Sequence, residues 1–551
     1  MPRFSVVTPV DGTGAAALEG TLRSVGAQRM ADWEHLVITA ADTAPATRRG
    51  LDDAAGNDPR VRVDAVAATR TAALADAGLE RARGEWVVFV AAGDELHPDA
   101  LGRVASAVAD DVDFVYTDED RLDHEGWRGD PHFKPDWSPD RLRAQPYTGD
   151  LAAIRRTVAT DVGGVRAELD GAHAYDLALR VTERGRRVVH VAEVLYHRRQ
   201  RGAPPPGAAA AAVRAVSEHL ARTRFPATAA EHPDRPGYAR LEPELDDRPL
   251  VSIVIPTGAQ RRLVRGEEVV LAAHCVASVA KLTTYPNYEI VCVLDDHAGD
   301  EGRAAVMNAG GDRVRIVPYP HRFDFSHKIN VGALAADGDV LVLLNDDTEV
   351  ITPDWIERML MYAQDDGVGA VGARLLFEDG RLQHAGIIGT WGRAGHFFYG
   401  FPGDHAGYLD NLLVPLDLLA VTAACLMTRR AVFEEVGGLS REFPANYNDV
   451  DFCLKLHRAG YRTVCTPDAS LWHYEGASRQ TGGRVEGEEM QLIESRWGNV
   501  LNHDPFYGPD FLPWSGDFAT PVSLTDGTLV PSRQSPGLYW LRDALGTRPN
   551  T

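Results

Sequence analysis

This chain says nearly the same thing twice, and that constrains its fold more than any other feature. SVVTPV from Ser5 returns as SIVIPT from Ser252, and GEWVVFVAAGDELHPD from Gly84 is matched by GDVLVLLNDDTEVITPD from Gly338. VGGV at Val162 recurs as VGGL at Val436, and YDLALRVTERGRRVVHVAEVLYH from Tyr175 parallels VDFCLKLHRAGYRTVCTPDASLWH from Val450. The matches keep one order, so they imply duplication of a whole domain. Within each half, short β-rich runs alternate with helical patterns such as LEGTLRSVGAQ and AAHCVASVAKL, which predicts βαβ units around a mostly parallel sheet. Sheets of that kind bind ligands at the carboxyl ends of their strands.

A length of 551 residues is more than one hydrophobic core accommodates. We expect a first α/β domain over residues 1–200 and a linker over 201–248, where a Pro-Gly break precedes an Ala-rich helix. A second α/β domain is expected over 249–500. Residues 501–551, rich in Pro, Gly and aromatics without periodicity, should be an extension wrapped over the second domain.

The formal net charge of −22 argues against a protein that coats nucleic acid, because neutralising phosphates needs clustered Lys and Arg. A nucleotide is still compatible if a divalent cation stands between carboxylates and phosphates. Cys275, Cys292, Cys425, Cys453 and Cys465 are widely spaced without a CxxC pair and read as reduced core residues. The start MPRFSVVTPV leads straight into a strand pattern, and the best apolar stretch, LLAVTAACLM, is far shorter than the ~20 residues of a membrane span. A cytoplasmic location is therefore expected, with peripheral association at the inner face of the membrane left open, as is the oligomeric state.

In the second half, Asn345, Asp346 and Asp347 end the apolar strand VLVLL, where a turn would hold carboxylates at the sheet's carboxyl edge. Adjacent carboxylates suit a hard divalent cation; outside this context such a turn is more often only polar. Asp449 and Asp451 stand where the pattern DFCLKLHRAG begins a helix, and one of them is expected to serve as its N-cap. His473 follows a β-like run.

The order SIVIPT, VCVLDD ending at Asp295 and Asp296, SHKINVGALAADGDVLVLLNDDTEV, NYNDVDFCLKLHRAGYR and LWH resembles the family-2 glycosyltransferases of the GT-A fold. The stretch TDEDRLDHEGWRGDPHFKPDWSPD and the phrase LQHAGIIG narrow the likeness to tandem enzymes that bacteria use to build O-antigen, rhamnan and other surface polysaccharides. The fold class so implied is α/β, two tandem Rossmann-like GT-A domains joined by a helical linker. The resemblance further implies metal-dependent, inverting transfer of a hexose-type sugar from a nucleoside-diphosphate sugar to a hydroxyl of a glycan or lipid-linked glycan. It places the site between Val251 and Arg479, with Asp449 as base and Asp347 and His473 on Mn²⁺ or Mg²⁺. Thr257, Asp295, Asp296, Lys328, Asn330 and Asp346 are implied on the nucleotide-sugar side.

Matching Gly84 to Gly338 puts Ala91, Ala92 and Gly93 opposite Asn345, Asp346 and Asp347; matching Asp176 to Asp451 puts Ala174 opposite Asp449. His197 persists opposite His473, while Leu74 and Asp76 replace Lys328 and Asn330. The first half therefore reads as a degenerate transferase. A one-residue shift would restore a single carboxylate, Asp94, and the acidic TDED at Thr117 could bring in others. Two rival readings are a nucleotidyltransferase, for which TGAQRRLVRGEE is a poor phosphate loop, and a non-catalytic carbohydrate-binding or scaffold protein.

Overall fold

The computed structural model describes residues 2–12, 15–123, 125–199, 204–390, 392–474 and 487–508, with 511, 516, 523–524 and 529–530. Arg479, the expected end of the site, and most of the expected extension lie outside them. The chain forms two compact units, one built on Met1–Arg224 with Thr228–Leu241, the other on Phe225–Ala227 with Glu242–Phe518. The Ala-rich helix of the expected linker is Ala208–Thr223; it belongs to the first unit and buries Ala212, Ala215, Val216 and Leu220.

Each unit is a large twisted sheet with helices against it, and the two sheets share one topology. In the first, the strand order is Val61–Val66, Trp33–Ala40, Phe4–Val10, Trp86–Phe89, Ala152–Arg155, Val112–Leu122, Arg187–Arg199 and Glu95–Leu96. In the second it is Val314–Tyr319, Tyr288–Asp295, Val251–Thr257, Val340–Leu344, Cys425–Arg429, Val368–Leu376, Arg462–His473 and Thr348–Val350. The first four strands of each are parallel, and the fifth is an antiparallel insertion. The central strands Phe4–Val10 and Val251–Thr257 are buried along their whole length, which is why they read as continuous apolar runs rather than alternating ones. These are the two tandem α/β domains that the repeat predicts, of the GT-A type that the resemblance implies. All five cysteines are buried and free, as expected.

The duplication extends to single atoms. The Gly84 N–H donates to Ser5 Oγ at 2.7 Å, and the Gly338 N–H to Ser252 Oγ at 2.8 Å. A Cβ on Gly84 would stand 2.5 Å from the Ser5 nitrogen, and one on Gly338 2.4 Å from the Leu250 oxygen, so no side chain fits either place. Gly78 and Gly332 likewise let their helices press onto the central strands, where an added Cβ would meet Val7 and Val254 at 2.3 Å.

Sequence matching slips at one place. Glu95 pairs with His197, and Thr348 pairs with His473. The first unit therefore carries one extra residue in the preceding turn, and Asp94, not Gly93, is the counterpart of Asp347. Asp94 is fully buried and accepts hydrogen bonds from Tyr196 Oη at 2.6 Å and the Arg199 N–H at 2.9 Å. The TDED carboxylates are also engaged: Asp120 with His197 Nδ1 at 2.7 Å, Glu119 with Lys134 Nζ at 3.0 Å, and Asp118 with His190 Nε2 at 3.0 Å.

Candidate active site

In the second unit the parallel strands end around a cavity of about 300 Å³. Thr257, Asp295, Lys328, Asp346, Asp347, Asp449 and His473 all line it, so seven of the nine residues singled out from the sequence converge there. On the strand-end side, helix Phe325–Ala335 begins with Asp324 accepting the His327 N–H at 2.8 Å. This cap directs Lys328 inward, where it is 1% exposed. Its Nζ stands 2.6 Å from Asp295 Oδ1 and donates to the Thr257 carbonyl at 3.1 Å, tying two strand ends together. Burial pulls the ammonium below its ordinary pKa, against the opposing effect of Asp295.

The turn after Val340–Leu344 presents its carboxylates differently. Asp346 Oδ2 accepts Thr257 Oγ1 at 2.5 Å, and burial together with its neighbour Asp347 pushes its pKa well above the usual carboxylate range. Burial also opposes the Asp347 anion, but His473, with Nε2 3.2 Å from Oδ1, outweighs it and holds that carboxyl low. Asp347 Oδ1 has no aligned hydrogen-bond donor, and Asn345 Oδ1 has no partner. Buried oxygens left in this state are costly, and a cation satisfies them. Asn345 itself is a brace: its N–H donates to the Ala424 carbonyl at 3.0 Å, and its Nδ2 lies 3.4 Å from His473 Nε2. Among the described residues no group of three or more His, Cys, Asp and Glu side chains encloses a metal position. The donor set fits a hard divalent ion whose coordination a ligand's oxygens would complete.

Asp449 opens helix Asn448–Arg458, half-buried at the cavity wall. Its Oδ1 accepts the Val450 N–H at 2.8 Å and its Oδ2 the Ala423 N–H at 3.1 Å. Each oxygen keeps a further lone pair. Tyr447, just before it, adopts the left-handed conformation at φ 56°, a strain typical of functional turns. Neither carboxylate caps the helix in the expected way, since the cap position is Tyr447 and no side chain closes it. Asp451 is instead fully buried, accepting Trp497 Nε1 at 2.8 Å and Arg496 Nη1 at 3.1 Å from helix Gly487–Leu501. Its counterpart Asp176 is likewise buried between Arg166 and Arg180.

Two of the nine residues are placed elsewhere. Asp296 is exposed in a 3₁₀ turn outside the cavity. Asn330 clamps the VGGL turn, with Nδ2 donating to the Leu439 carbonyl at 2.8 Å and Oδ1 accepting its N–H at 3.0 Å. Asp76 holds the VGGV turn through the Val165 N–H at 2.9 Å, so this clamp is inherited by both halves. TGAQRRLVRGEE folds as a hairpin, Arg261–Val264 against Glu267–Val270, and not as a phosphate loop.

Sequence reasoning missed other parts of the lining. Gln383, Ile387 and His396 line the cavity, as do Thr422, Ala423 and Ala424 from the apolar stretch judged only for membrane length. The signal was present in LQHAGIIG, a phrase that carried family likeness but no chemistry by itself.

The profile of Glycosyl transferase family 2 matches residues 5–163 and 264–437, one segment in each half. The chain is 36% identical over 537 residues to the O-antigen biosynthesis protein RfbC of Myxococcus xanthus, covering 95% of this chain and 41% of that protein. It is 37% identical over 543 residues to the uncharacterized protein y4gI of Sinorhizobium fredii, covering 94% of this chain and 58% of that one. The chain thus spans about half the length of these relatives. Among solved structures, S. aureus TarS 1–349 aligns over 40% of this chain and 65% of its own, with 15% identity and a TM-score of 0.34. With the profile matched in both halves of a duplicated fold, the chain belongs to glycosyl transferase family 2.

Proposed function

We propose that the second unit is an inverting glycosyltransferase, moving a hexose-type sugar from a nucleoside-diphosphate sugar to a hydroxyl of a glycan or lipid-linked glycan. The observation that carries this reading is the convergence of Asp347, His473 and Asp449 in one cavity with the Thr257–Asp295–Lys328 cluster. Family membership supports it, and the likeness to an O-antigen biosynthesis protein supports a role in surface polysaccharide assembly on the cytoplasmic side, where nucleotide sugars are made.

In this mechanism Thr257 and Asp295 orient the nucleotide, while Lys328 keeps the two strand ends in register. Asp347, with Asp346 beside it and His473 bracing it, would hold Mn²⁺ or Mg²⁺, which supplies Lewis-acid neutralisation of a departing diphosphate. Asp449, held by two backbone N–H groups, accepts the proton of the acceptor hydroxyl as that oxygen attacks the anomeric carbon from the face opposite the nucleotide. In the first unit Ala174 stands where Asp449 would be, and Asp94, the counterpart of Asp347, is taken up by Tyr196 and the Arg199 N–H, so without a base the unit contributes packing or acceptor binding and no transfer of its own.

The test is a panel of nucleotide sugars, scored for binding and turnover with Mn²⁺ or Mg²⁺ and with excess chelator. We expect one donor to be turned over only with metal, and Asp347→Asn to lose metal-dependent nucleotide binding. Full turnover in excess chelator, or no nucleotide bound under any condition, sinks the reading.

A further inference from the structure

Helix Gly487–Leu501 holds the chain on both sides of Asp449. Downstream, Arg496 Nη1 and Trp497 Nε1 donate to Asp451, at 3.1 and 2.8 Å. Upstream, Glu489, only 6% exposed, accepts the N–H groups of Ala445 and Asn446 on Oε1, both at 3.0 Å, and Asn446 Nδ2 on Oε2 at 2.7 Å. Glu489 and Arg496 are seven residues apart, so two helical turns put them on one face. Asp449 lies in the chain between the two grips.

The upstream stretch is pinned residue by residue. The Phe325 N–H donates to the Pro444 carbonyl and Ser326 Oγ to the Phe443 carbonyl, both at 2.7 Å, which ties the stretch to the helix that carries Lys328. Glu489 takes the next two N–H groups. Tyr447 then turns left-handed at φ 56°, a conformation that a residue with a Cβ keeps only when its surroundings impose it. Two successive N–H groups converging on one anionic oxygen make a strong clamp, because charge-assisted hydrogen bonds are roughly twice as strong as neutral ones.

The first unit supplies a comparison within the same chain. There helix Ala208–Thr223 packs against helix His173–Thr182, whose Asp176 keeps its two arginines. Matching Asp176 to Asp451 puts Gly171 opposite Asn446, and a Cβ on Gly171 would stand 2.7 Å from Ala208 Cβ. The helix start therefore meets the same point of the turn in both units. In the first it opens on five alanines, with no acidic residue in its first turn, and Ala174 replaces Asp449. The anchoring carboxylate persists in both units, whereas the base and the clamp on its approach are lost together.

We propose that Glu489 is a positioning residue for the transfer, holding Ala445 and Asn446 so that Asp449 meets the acceptor hydroxyl. This rests on the transferase reading, in which Asp449 is the base. Glu489 does not line the cavity and acts only through the turn.

The experiment compares the full chain as wild type, Glu489→Gln and Glu489→Ala, with UDP or GDP and Mg²⁺ present. Hydrogen exchange read by mass spectrometry over residues 443–449 should be at least roughly tenfold faster in Glu489→Ala. Glu489→Gln, whose carbonyl accepts the two N–H groups while its amide meets the Asn446 amide turned end for end, should stay near wild type. Nucleotide affinity should be equal in all three proteins. With the nucleotide sugar that the wild type turns over, and methyl glycosides of glucose, galactose, mannose and rhamnose as acceptors, Glu489→Ala should lower kcat roughly 10- to 100-fold at unchanged donor KM. Glu489→Gln should recover most of that loss. Added to Asp449→Asn, Glu489→Ala should cost transfer almost nothing further, since it acts through that base. Where Glu489→Ala does not fold, Glu489→Asp, one methylene shorter, takes its place in every arm. The proposal is overturned if exchange over the turn is unchanged, if nucleotide affinity falls along with kcat, or if the losses of Glu489→Ala and Asp449→Asn multiply. Nucleotide binding and wild-type turnover test the transferase reading separately.

Discussion

Replacing Asp451 separates the two carboxylates of helix Asn448–Arg458, which sequence alone cannot tell apart. Asp451 is fully buried and anchors the helix to Gly487–Leu501 through Trp497 Nε1 at 2.8 Å and Arg496 Nη1 at 3.1 Å. Asp451→Ala leaves the Trp497 N–H unpaired in a site where Trp497 is 6% exposed, a cost of about 1–3 kcal/mol. Arg496 is 29% exposed and keeps Glu442, so its share is discounted to about 0.5–1 kcal/mol. The sum is about 2–4 kcal/mol, above the ~1 kcal/mol of a simple N-cap. At about 2–3 °C per kcal/mol for a unit of this size, the second unit should melt roughly 5–10 °C lower by scanning calorimetry. Asp449→Asn, which disturbs only backbone N–H bonds at a half-buried position, should stay within about 1 kcal/mol of wild type while transfer falls roughly 10²- to 10⁴-fold. If Asp451→Ala melts with the wild type while Asp449→Asn unfolds, the anchor and the base have been exchanged and the reasoning fails.

Other outcomes are as specific. Asp94→Ala should leave nucleotide binding and turnover untouched while destabilising the first unit by about 1–3 kcal/mol, because Tyr196 Oη loses its acceptor; loss of a separable transferase activity would contradict this. His35 is fully buried, and desolvation lowers its pKa from 6.5 to about 4, so the unfolded chain takes up a proton before the folded one does. Its contribution is complete above pH 6.5 and is lost as pH falls toward 4, about 2 kcal/mol by pH 5; urea titrations of wild type and His35→Gln should diverge by that amount, and parallel curves would refute it. Asn330→Ala should loosen the VGGL turn by about 1–2 kcal/mol with unchanged UDP or GDP affinity; a tenfold weaker nucleotide would return Asn330 to the binding site.

Much of this protein is legible in its sequence because the signals are local or repeated. Strand periodicity, the two-fold recurrence of apolar runs and the acidic turn after VLVLL all arise from neighbouring residues, and together with the family resemblance they led to the sheet and to nine residues, of which seven line the cavity. Asn330 and Asp296 do not line the cavity, because a resemblance transfers position in the chain, not direction of a side chain. Asn330 points at the VGGL turn, which lies more than a hundred residues away in sequence.

The sequence by itself determined that the chain is duplicated, that each half is an α/β sheet, and that the first half has Ala174 where the second has Asp449. Tertiary structure decided the rest, because a hydrogen bond's partner depends on which strands the sheet brings together. The one-residue insertion that makes Asp94 the counterpart of Asp347 is visible only in the pairing of Glu95 with His197. Asp449 and Asp451 have the same chemistry two residues apart, yet a helix turns them roughly 200° from one another. One therefore faces the cavity, and the other is buried against Trp497.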